Sequence, residues 1–176
     1  MSENRGDEMY AWAKDLFPIN RSITGQGVRD TLLYIKNEIP ELEIKEIPTG
    51  TEVLDWVIPK EWNVSEAFLE DETGKRIIDF RDNNLHLVGY SVPVDEWFDL
   101  EELDKHLYSI EEQPDFIPYV TSYFKERWGF CISHSQRLSL KKGNYHVVIK
   151  SVLEPGCLNY GELIIPGQES EEILLS

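Results

Sequence analysis

Tyr145-His-Val-Val-Ile-Lys-Ser-Val-Leu153 decides the fold class, because its β-branched and aromatic residues favour extended backbone. The segment Glu154-Pro-Gly156 comes directly after it and is typical of a turn. A second strand is predicted from Leu158 to Ile165, so the two strands are expected to form a β-hairpin. This end of the chain is therefore predicted to contain β-sheet.

The middle of the chain carries further strand signals. Asp71-Glu-Thr-Gly74 separates the apolar runs Ala67–Leu69 and Arg76–Phe80, and its glycine suits a tight turn, so a β-hairpin is predicted. A capping box that starts at Asp99 predicts a short helix from Leu100 to Leu107. Shorter strands are predicted at Leu42–Ile44, Val53–Ile58 and Leu85–Val92.

Two amphipathic helices are predicted near the N-terminus. The first has apolar residues at three- or four-residue spacing and ends before Pro18. Its apolar stripe consists of Met9, Trp12, Ala13 and Leu16. The second comes after a loop rich in capping residues, where Ser22 or Thr24 is the predicted N-cap, and Pro40 ends it. Its apolar stripe consists of Val28, Leu32, Ile35 and Ile39.

The composition indicates a globular protein with an acidic surface. Hydrophobic residues make up 41% and charged residues 28% of the 176 residues, which is ordinary for a folded domain. The formal net charge is −16, and the longest basic runs are pairs, Lys75-Arg76 and Lys141-Lys142. A nucleic-acid-binding surface needs clustered Lys and Arg. Nucleic acid and anionic membranes are therefore not expected as partners.

The sequence shows no pattern for secretion or membrane insertion. The N-terminal residues are polar and acidic, without the basic and apolar regions of a signal peptide. No apolar run approaches the ~18 residues of a membrane span. The two cysteines, Cys131 and Cys157, are too few for a disulfide scaffold. A cytoplasmic location is predicted.

The histidines and cysteines lack the close pairs typical of zinc sites, such as H-E-x-x-H or C-x₂-C, so no metal site is predicted in this chain. His106 and His146 are predicted to be surface or cross-strand residues. Cys131 and His134 form the best pair. Their Cys-x-x-His spacing leaves a nucleophilic dyad open, but a buried structural cysteine beside a hydrogen-bonded histidine is the favoured interpretation.

Gly25-Gln-Gly27 precedes the second helix, where backbone N–H groups could bind an anion. Because the segment comes after a helix and a proline, not a strand, a plain helix start is predicted. At the other end of the chain, Ile173-Leu-Leu175 has the pattern of a buried strand that is just beginning. Termini are usually polar and solvated, so we expect a longer gene product to continue this strand.

Several longer motifs together resemble one family of prokaryotic proteins. That family has an aminopeptidase-like domain of uncharacterised function and is often encoded among polysaccharide-biosynthesis genes. The match covers nearly the whole chain, in order. The motifs that carry the resemblance are Leu16–Gly25, Ile47–Trp56, Pro59–Asn63, Asp82–Leu87, Tyr90–Val94, Tyr123–Cys131 and Tyr160–Leu163.

The resemblance implies an α+β chain: the N-terminal part of an α/β zinc-aminopeptidase-like scaffold with an inserted β-rich domain. The scaffold would comprise residues 1–47, the insert residues 48–123, and the return to the scaffold residues 124–176. The family's first ligand motif, a His-Pro and then an Asp-Asn, comes after the strand that begins at Ile173. None of its zinc ligands can therefore be carried over, and this chain alone is predicted to be inactive.

In the full-length protein, the resemblance implies zinc as cofactor and a peptide or small amide as substrate. The insert is expected to shape access to the active site. Arg21, Trp128 and His134 are the predicted substrate-binding residues at the entrance, with packing and capping as the alternative roles. The alternative function is a non-enzymatic binding or scaffold module linked to polysaccharide biosynthesis.

Overall fold

A computed structural model describes residues 5–122, 124–168, 171 and 173–175. Four helices and ten strands are described, together with one 3₁₀ turn at Asn84–His86. The helices are α1 (Arg5–Leu16), α2 (Gln26–Glu38), α3 (Leu100–Asp104) and α4 (His134–Leu138). The strands are β1 (Glu43–Pro48), β2 (Glu52–Val53), β3 (Trp56–Val57), β4 (Glu61–Asp71), β5 (Arg76–Asp79), β6 (Val94–Asp99), β7 (Leu107–Tyr108), β8 (Phe130–Cys131), β9 (Asn144–Glu154) and β10 (Cys157–Glu162).

A four-stranded antiparallel sheet in the order β5-β4-β9-β6 forms the centre of the fold. Strands β4 and β9 are both 11 residues long and pair from Glu61↔Glu154 to Asp71↔Tyr145. The segment Tyr145–Leu153 is thus a strand, as predicted, and it occupies an interior position in the sheet. The predicted hairpin around Asp71–Gly74 is confirmed as β4 and β5.

One face of this sheet carries the hydrophobic core. Alternate residues of β9 point into it, because successive side chains of a strand face opposite sides. Val147 and Ile149 are 0% and 1% exposed, and they belong to one cluster with Leu69 of β4. Side chains from the loops and from short elements complete the cluster, notably Leu103 of α3 and Phe130 of β8.

The prediction of a second hairpin around Glu154–Gly156 is wrong. Strand β9 stays in the four-stranded sheet, whereas β10 pairs antiparallel with β1 in a separate two-stranded sheet. The chain turns away at Gly156, where a Cβ atom would lie 2.3 Å from the Glu61 Oε2 atom. The side chain of Leu32 in α2 packs close to Gly161 of β10.

Three other secondary-structure predictions need correction. Only short pieces of Val53–Ile58 are strand, because a turn separates β2 from β3 and places Leu54 at a positive φ of 54°. Leu85–Val92 is not a strand: Asn83 caps a 3₁₀ turn, and isolated bridges come after it. Helix α3 ends at Asp104, and Leu107 lies in β7 instead.

The two N-terminal helices are confirmed, but their surroundings differ from the prediction. The apolar stripe of α1 is not buried; Met9 is 67% exposed. The N-cap of α2 is Gly25, with no side-chain cap of its own, so neither Ser22 nor Thr24 has that role. No helix in the described ranges is long and apolar enough to cross a membrane.

The predicted division into scaffold, insert and returning scaffold stays a prediction. The four-stranded sheet combines β4, β5 and β6 with β9, so it draws on both the 48–123 and the 124–176 segments. The boundary residue Tyr123 lies outside the described residues. Ile173–Leu175 lie outside every strand and are 89–90% exposed, so the buried strand expected there is not formed by this chain.

An ion pair joins α2 to the start of β4. Arg29 donates to both carboxylate oxygens of Glu61, at 3.0 Å from NH1 to Oε2 and 2.6 Å from NH2 to Oε1. Asn63 Nδ2 and the backbone N–H of Cys157 donate to the same carboxylate at 2.9 and 3.4 Å. The Arg29 hydrogen bonds are the main reason that the pKa of Glu61 falls from 4.5 to about 2.

His146 joins three strands on the opposite face of the four-stranded sheet. Its Nδ1 atom lies 3.0 Å from Glu70 Oε1 of β4, and its Nε2 atom lies 2.7 Å from Asp95 Oδ1 of β6. The indole of Trp97 stacks on the ring at 4.9 Å between centroids. Only an imidazolium has two N–H donors for two carboxylates. These contacts, first the one to Glu70, raise the pKa of His146, and its predicted cross-strand position is confirmed.

Replacing Glu61 by Gln is expected to lower the free energy of unfolding at pH 7 by about 2 to 3 kcal/mol. The folded-state pKa is depressed, so this stabilisation is present above the unfolded pKa of 4.5 and disappears as the pH falls towards about 2. Urea unfolding of both proteins at several pH values would measure the difference. Glu102→Gln, which breaks an exposed pair with Lys105, should have a much smaller effect, because solvent screens exposed ion pairs. Equal effects of the two substitutions would contradict the prediction.

Replacing His146 by Gln is expected to remove a pH-dependent stabilisation of about 1 kcal/mol. Because the folded-state pKa is raised, the stabilisation is complete below the unfolded pKa of 6.5 and is lost as the pH rises through the folded value. Thermal unfolding at pH 6 and pH 8 measures it. The control His134→Gln removes a ring that contacts the Ser109 hydroxyl, not a carboxylate. The role would be refuted if the change in melting temperature between pH 6 and pH 8 were the same in His146→Gln as in the wild type.

Candidate functional site

A cleft of about 320 Å³ lies beside the loop that connects α1 to α2. It combines apolar walls with amide, hydroxyl and guanidinium groups, the mixture that small-molecule sites usually present. Its lining residues are Phe17, Ile19, Asn20, Arg21, Ser22, Trp62, Asn84, Leu85, Leu87, Gly89, Tyr119 and Thr121. One of the three predicted site residues, Arg21, therefore lies in this cleft.

The loop is fixed in place by contacts with the central sheet. Thr24 Oγ1 and Tyr90 OH share a buried hydrogen bond of 2.6 Å, and the Trp62 N–H donates to the same Thr24 oxygen at 3.2 Å. Gly25 has a positive φ of 92°, and a Cβ atom there would lie 2.3 Å from the Trp62 carbonyl oxygen. Only glycine fits both this conformation and this close approach. The loop side of the cleft is thus held in one position.

Arg21 both lines the cleft and stabilises the end of α1. Its NH1 atom donates to the carbonyl oxygens of Leu16 and Ile19 at 2.6 and 3.3 Å. A cation is favourable there because the last carbonyl groups of a helix carry partial negative charge. The side chain is exposed. Substrate binding by Arg21 stays a prediction, and its capping contact is observed.

Trp128 lies in a separate aromatic stack. Its ring is 3.7 Å from the ring of His106 at an angle of 7°, and 5.1 Å from Phe98. The His106 Nδ1 atom is also 3.2 Å from the Trp128 carbonyl oxygen. His106 lies in the turn before β7 and is half-buried by this stack, so it is partly at the surface and not on a strand. The observed contacts of Trp128 are packing contacts, and a substrate contact stays a prediction.

His134 begins α4, and its Nδ1 atom lies 3.1 Å from Ser109 Oγ. Among the described contacts, none joins His134 to Arg21 or Trp128. Cys131 is fully buried, and burial raises the pKa of its thiol to about 12, so it is not an activated nucleophile. The interpretation as a buried structural cysteine is confirmed, and the dyad alternative is not supported.

The first backbone N–H group of α2 is already paired. The N–H group of Gln26 donates to Asn63 Oδ1 of β4 at 2.8 Å, so a side chain 37 residues away caps the helix. A Cβ atom at Gly27 would lie 1.9 Å from the Asn20 carbonyl oxygen, which shows how closely the loop packs on the helix. The plain helix start predicted for Gly25–Gly27 is confirmed.

Sequence reasoning missed the other cleft residues. Trp62, Asn84 and Tyr119 come from three distant segments, and no local pattern shows that they meet beside the α1–α2 loop. Asn84 Nδ2 donates to the carbonyl oxygen of Phe17 and joins two of these segments. The sequence marks Trp62 in one way only: it belongs to the motif Pro59–Asn63, which carries part of the family resemblance.

The described residues do not fit a zinc site. No group of three or more His, Cys, Asp or Glu side chains among them is arranged to hold a metal ion. Zinc needs at least three convergent protein ligands. In the described part of the chain, His146 is instead bonded through both ring nitrogens to carboxylates on opposite sides.

Comparison with known proteins gives a similar protein, a similar crystal structure and a matching domain family. A protein of Clostridium acetobutylicum named "Putative polysaccharide biosynthesis protein with aminopeptidase-like domain" is 49% identical over 175 residues, which are 99% of this chain and 40% of that protein. The crystal structure of a "putative peptidase" from Clostridium acetobutylicum has a TM-score of 0.86 at 48% identity and covers 89% of this chain. This chain covers 37% of that structure.

These matches confirm the resemblance to proteins with an aminopeptidase-like domain. They agree with the α+β fold class, and an inserted domain within it stays a prediction. The chain spans about two fifths of the length of the relatives that it matches. Residues 61–152, more than half of the sequence, match the family described as "Domain of unknown function (DUF2172)". The chain therefore belongs to the DUF2172 domain family.

Proposed function

We propose that this chain is the non-catalytic N-terminal portion of an aminopeptidase-like protein, in which its cleft shapes access to an active site formed by other residues. The observation that carries the proposal is the cleft beside Arg21, which combines a guanidinium group, amides and aromatic rings. The matched relative supports the division of labour, since it contains an aminopeptidase-like domain and is more than twice as long as this chain.

The chemistry of the cleft suits the proposed role. Arg21 offers guanidinium N–H groups at the mouth, which can pair with the carboxylate or carbonyl oxygen of a peptide or small amide. Tyr119 is 75% exposed and lines the same cleft, so its ring is available for packing against a substrate side chain. Zinc, if the full-length protein binds it, would have its ligands among residues outside the described part of this chain.

A second candidate function is a binding or scaffold module without peptidase chemistry. The name of the relative, which includes polysaccharide biosynthesis, favours this class. The gene sequence downstream of codon 176 distinguishes the two functions. Intact His-Pro and Asp-Asn ligand motifs there would support the enzyme, and their replacement would support the module.

Removing the Tyr119 or the Arg21 side chain in the full-length protein is expected to raise KM by about tenfold and to change kcat by less than about twofold, because access and binding are altered but the reacting groups are not. Steady-state kinetics with a panel of aminoacyl amides measures both constants. Phe116→Ala is the matched control, because Phe116 is also exposed, at 67%, but does not line the cleft.

Two results would contradict the proposal. The first is a KM that is unchanged in both Tyr119→Ala and Arg21→Ala. The second is turnover by residues 1–176 alone, after contaminating peptidases have been removed.

A further inference from the structure

The two basic pairs of the sequence meet at a single cavity. Lys75-Arg76 lies at the start of β5 and Lys141-Lys142 lies just before β9, yet all four residues line the same cavity of about 490 Å³. This cavity lies between the β4–β5 turn and the loop that joins α4 to β9. It shares no lining residue with the cleft beside Arg21.

Hydrogen bonds hold the walls of this basic cavity together. The backbone N–H and Nδ2 of Asn144 both donate to Glu72 Oε1, at 3.1 and 2.7 Å, and join the loop to the turn. Gln136 Nε2 donates to the Ile77 carbonyl oxygen at 2.8 Å. Tyr145 OH donates to the Lys141 carbonyl oxygen at 2.6 Å. The positions of the two basic pairs relative to each other are therefore determined by the fold.

Three of the four cations form no direct ion pair with a described residue. Arg76 pairs with Glu66 and Asp79. The Lys75 side chain acts only through its charge: the pKa of the Asp71 carboxyl is lowered first by the hydrogen bond from Thr73 and, among lesser causes, by Lys75. The lack of direct ion pairs is unexpected in a chain with 33 acidic and 17 basic side chains, where carboxylates are abundant. Clustered ammonium groups repel one another, and the repulsion is relieved when an anion lies between them.

Each of the two carboxylates at the cavity accepts hydrogen bonds through one of its oxygen atoms. The Oδ1 atom of Asp71 accepts hydrogen bonds from the N–H groups of Thr73 and Lys75 at 2.9 and 3.2 Å, and Glu72 accepts both bonds from Asn144. In the loop, the N–H groups of residues 141–143 donate to no other described residue. Free backbone N–H groups next to lysines are a recurring feature of anion sites.

We propose that the basic cavity binds a compact polyanion that carries phosphate groups, such as a diphosphate. The net charge of −16 repels anions at long range, so a single negative charge would gain too little from exposed lysines to bind. A ligand with several charges can contact Lys75, Lys141 and Lys142 together. The volume of about 490 Å³ suits a small molecule. This inference is independent of the function proposed for the cleft.

Calorimetric titration with pyrophosphate at low ionic strength tests the proposal on the wild-type chain. The double variant Lys141→Gln/Lys142→Gln is expected to weaken binding by about tenfold or more, and Lys75→Gln by about threefold. The matched control Lys14→Gln/Lys36→Gln changes the net charge equally but alters helices α1 and α2, which contribute no residue to the cavity lining. It should change the Kd by less than about twofold.

Further measurements distinguish specific binding at the basic cavity from a general effect of the net charge. Backbone amide NMR signals of Gly74 and Gly143 should shift on titration with pyrophosphate, and binding should weaken with added salt. Equal losses of affinity in the two double variants would overturn the proposal. So would no saturation below about 10 mM pyrophosphate, or citrate binding as tightly as pyrophosphate, because citrate carries similar charge without phosphate.

Discussion

The carboxylate of Glu61 is the point at which the separate parts of the fold are joined. It accepts hydrogen bonds from Arg29 of α2, from Asn63 of its own strand β4, and from the backbone of Cys157 at the start of β10. Burying a carboxylate is costly unless charge and hydrogen bonds compensate it, and here a bidentate guanidinium supplies most of the compensation. Gly156 lets the backbone approach this carboxylate, since any side chain would occupy the position of Oε2. One ionised group therefore joins helix α2, the four-stranded sheet and the β1–β10 sheet.

The cleft depends on the same junction. Beside Glu61, the backbone of Trp62 contacts Thr24 and Gly25, and Tyr90 closes the contact from the other side. These contacts fix the end of the α1–α2 loop, and the beginning of that loop carries Arg21 into the cleft. A change that displaced β4 from α2 would therefore move the loop wall of the cleft as well. The ion pair and the loop wall of the cleft are thus anchored by the adjacent residues Glu61 and Trp62 of β4.

The sequence predicts those features that local patterns encode. Strand β9, the β4–β5 hairpin, helix α2 and the structural role of Cys131 can be inferred from periodicity, turn chemistry or residue type. The features that could not be predicted depend on residues distant in sequence. Asn63 caps α2 from 37 positions away, so neither Ser22 nor Thr24 is needed as a cap. Strand β10 pairs with β1 instead of β9, because the Gly156 turn directs the chain to another sheet. The cleft residues and the meeting of the basic pairs have no local signal at all.

The two cavities differ in how they relate to the family match at residues 61–152. Every residue that lines the basic cavity falls within those limits, and its walls come from the β4–β5 turn, helix α4 and the loop that joins α4 to β9. The cleft instead combines Trp62, Tyr119 and their neighbours with Phe17–Ser22, which precede the match. Sites between structural units are common for substrates, because each unit supplies one wall. The basic cavity of this chain therefore lies wholly within the DUF2172 match. A property of the cleft also requires the α1–α2 loop, which precedes the matched residues.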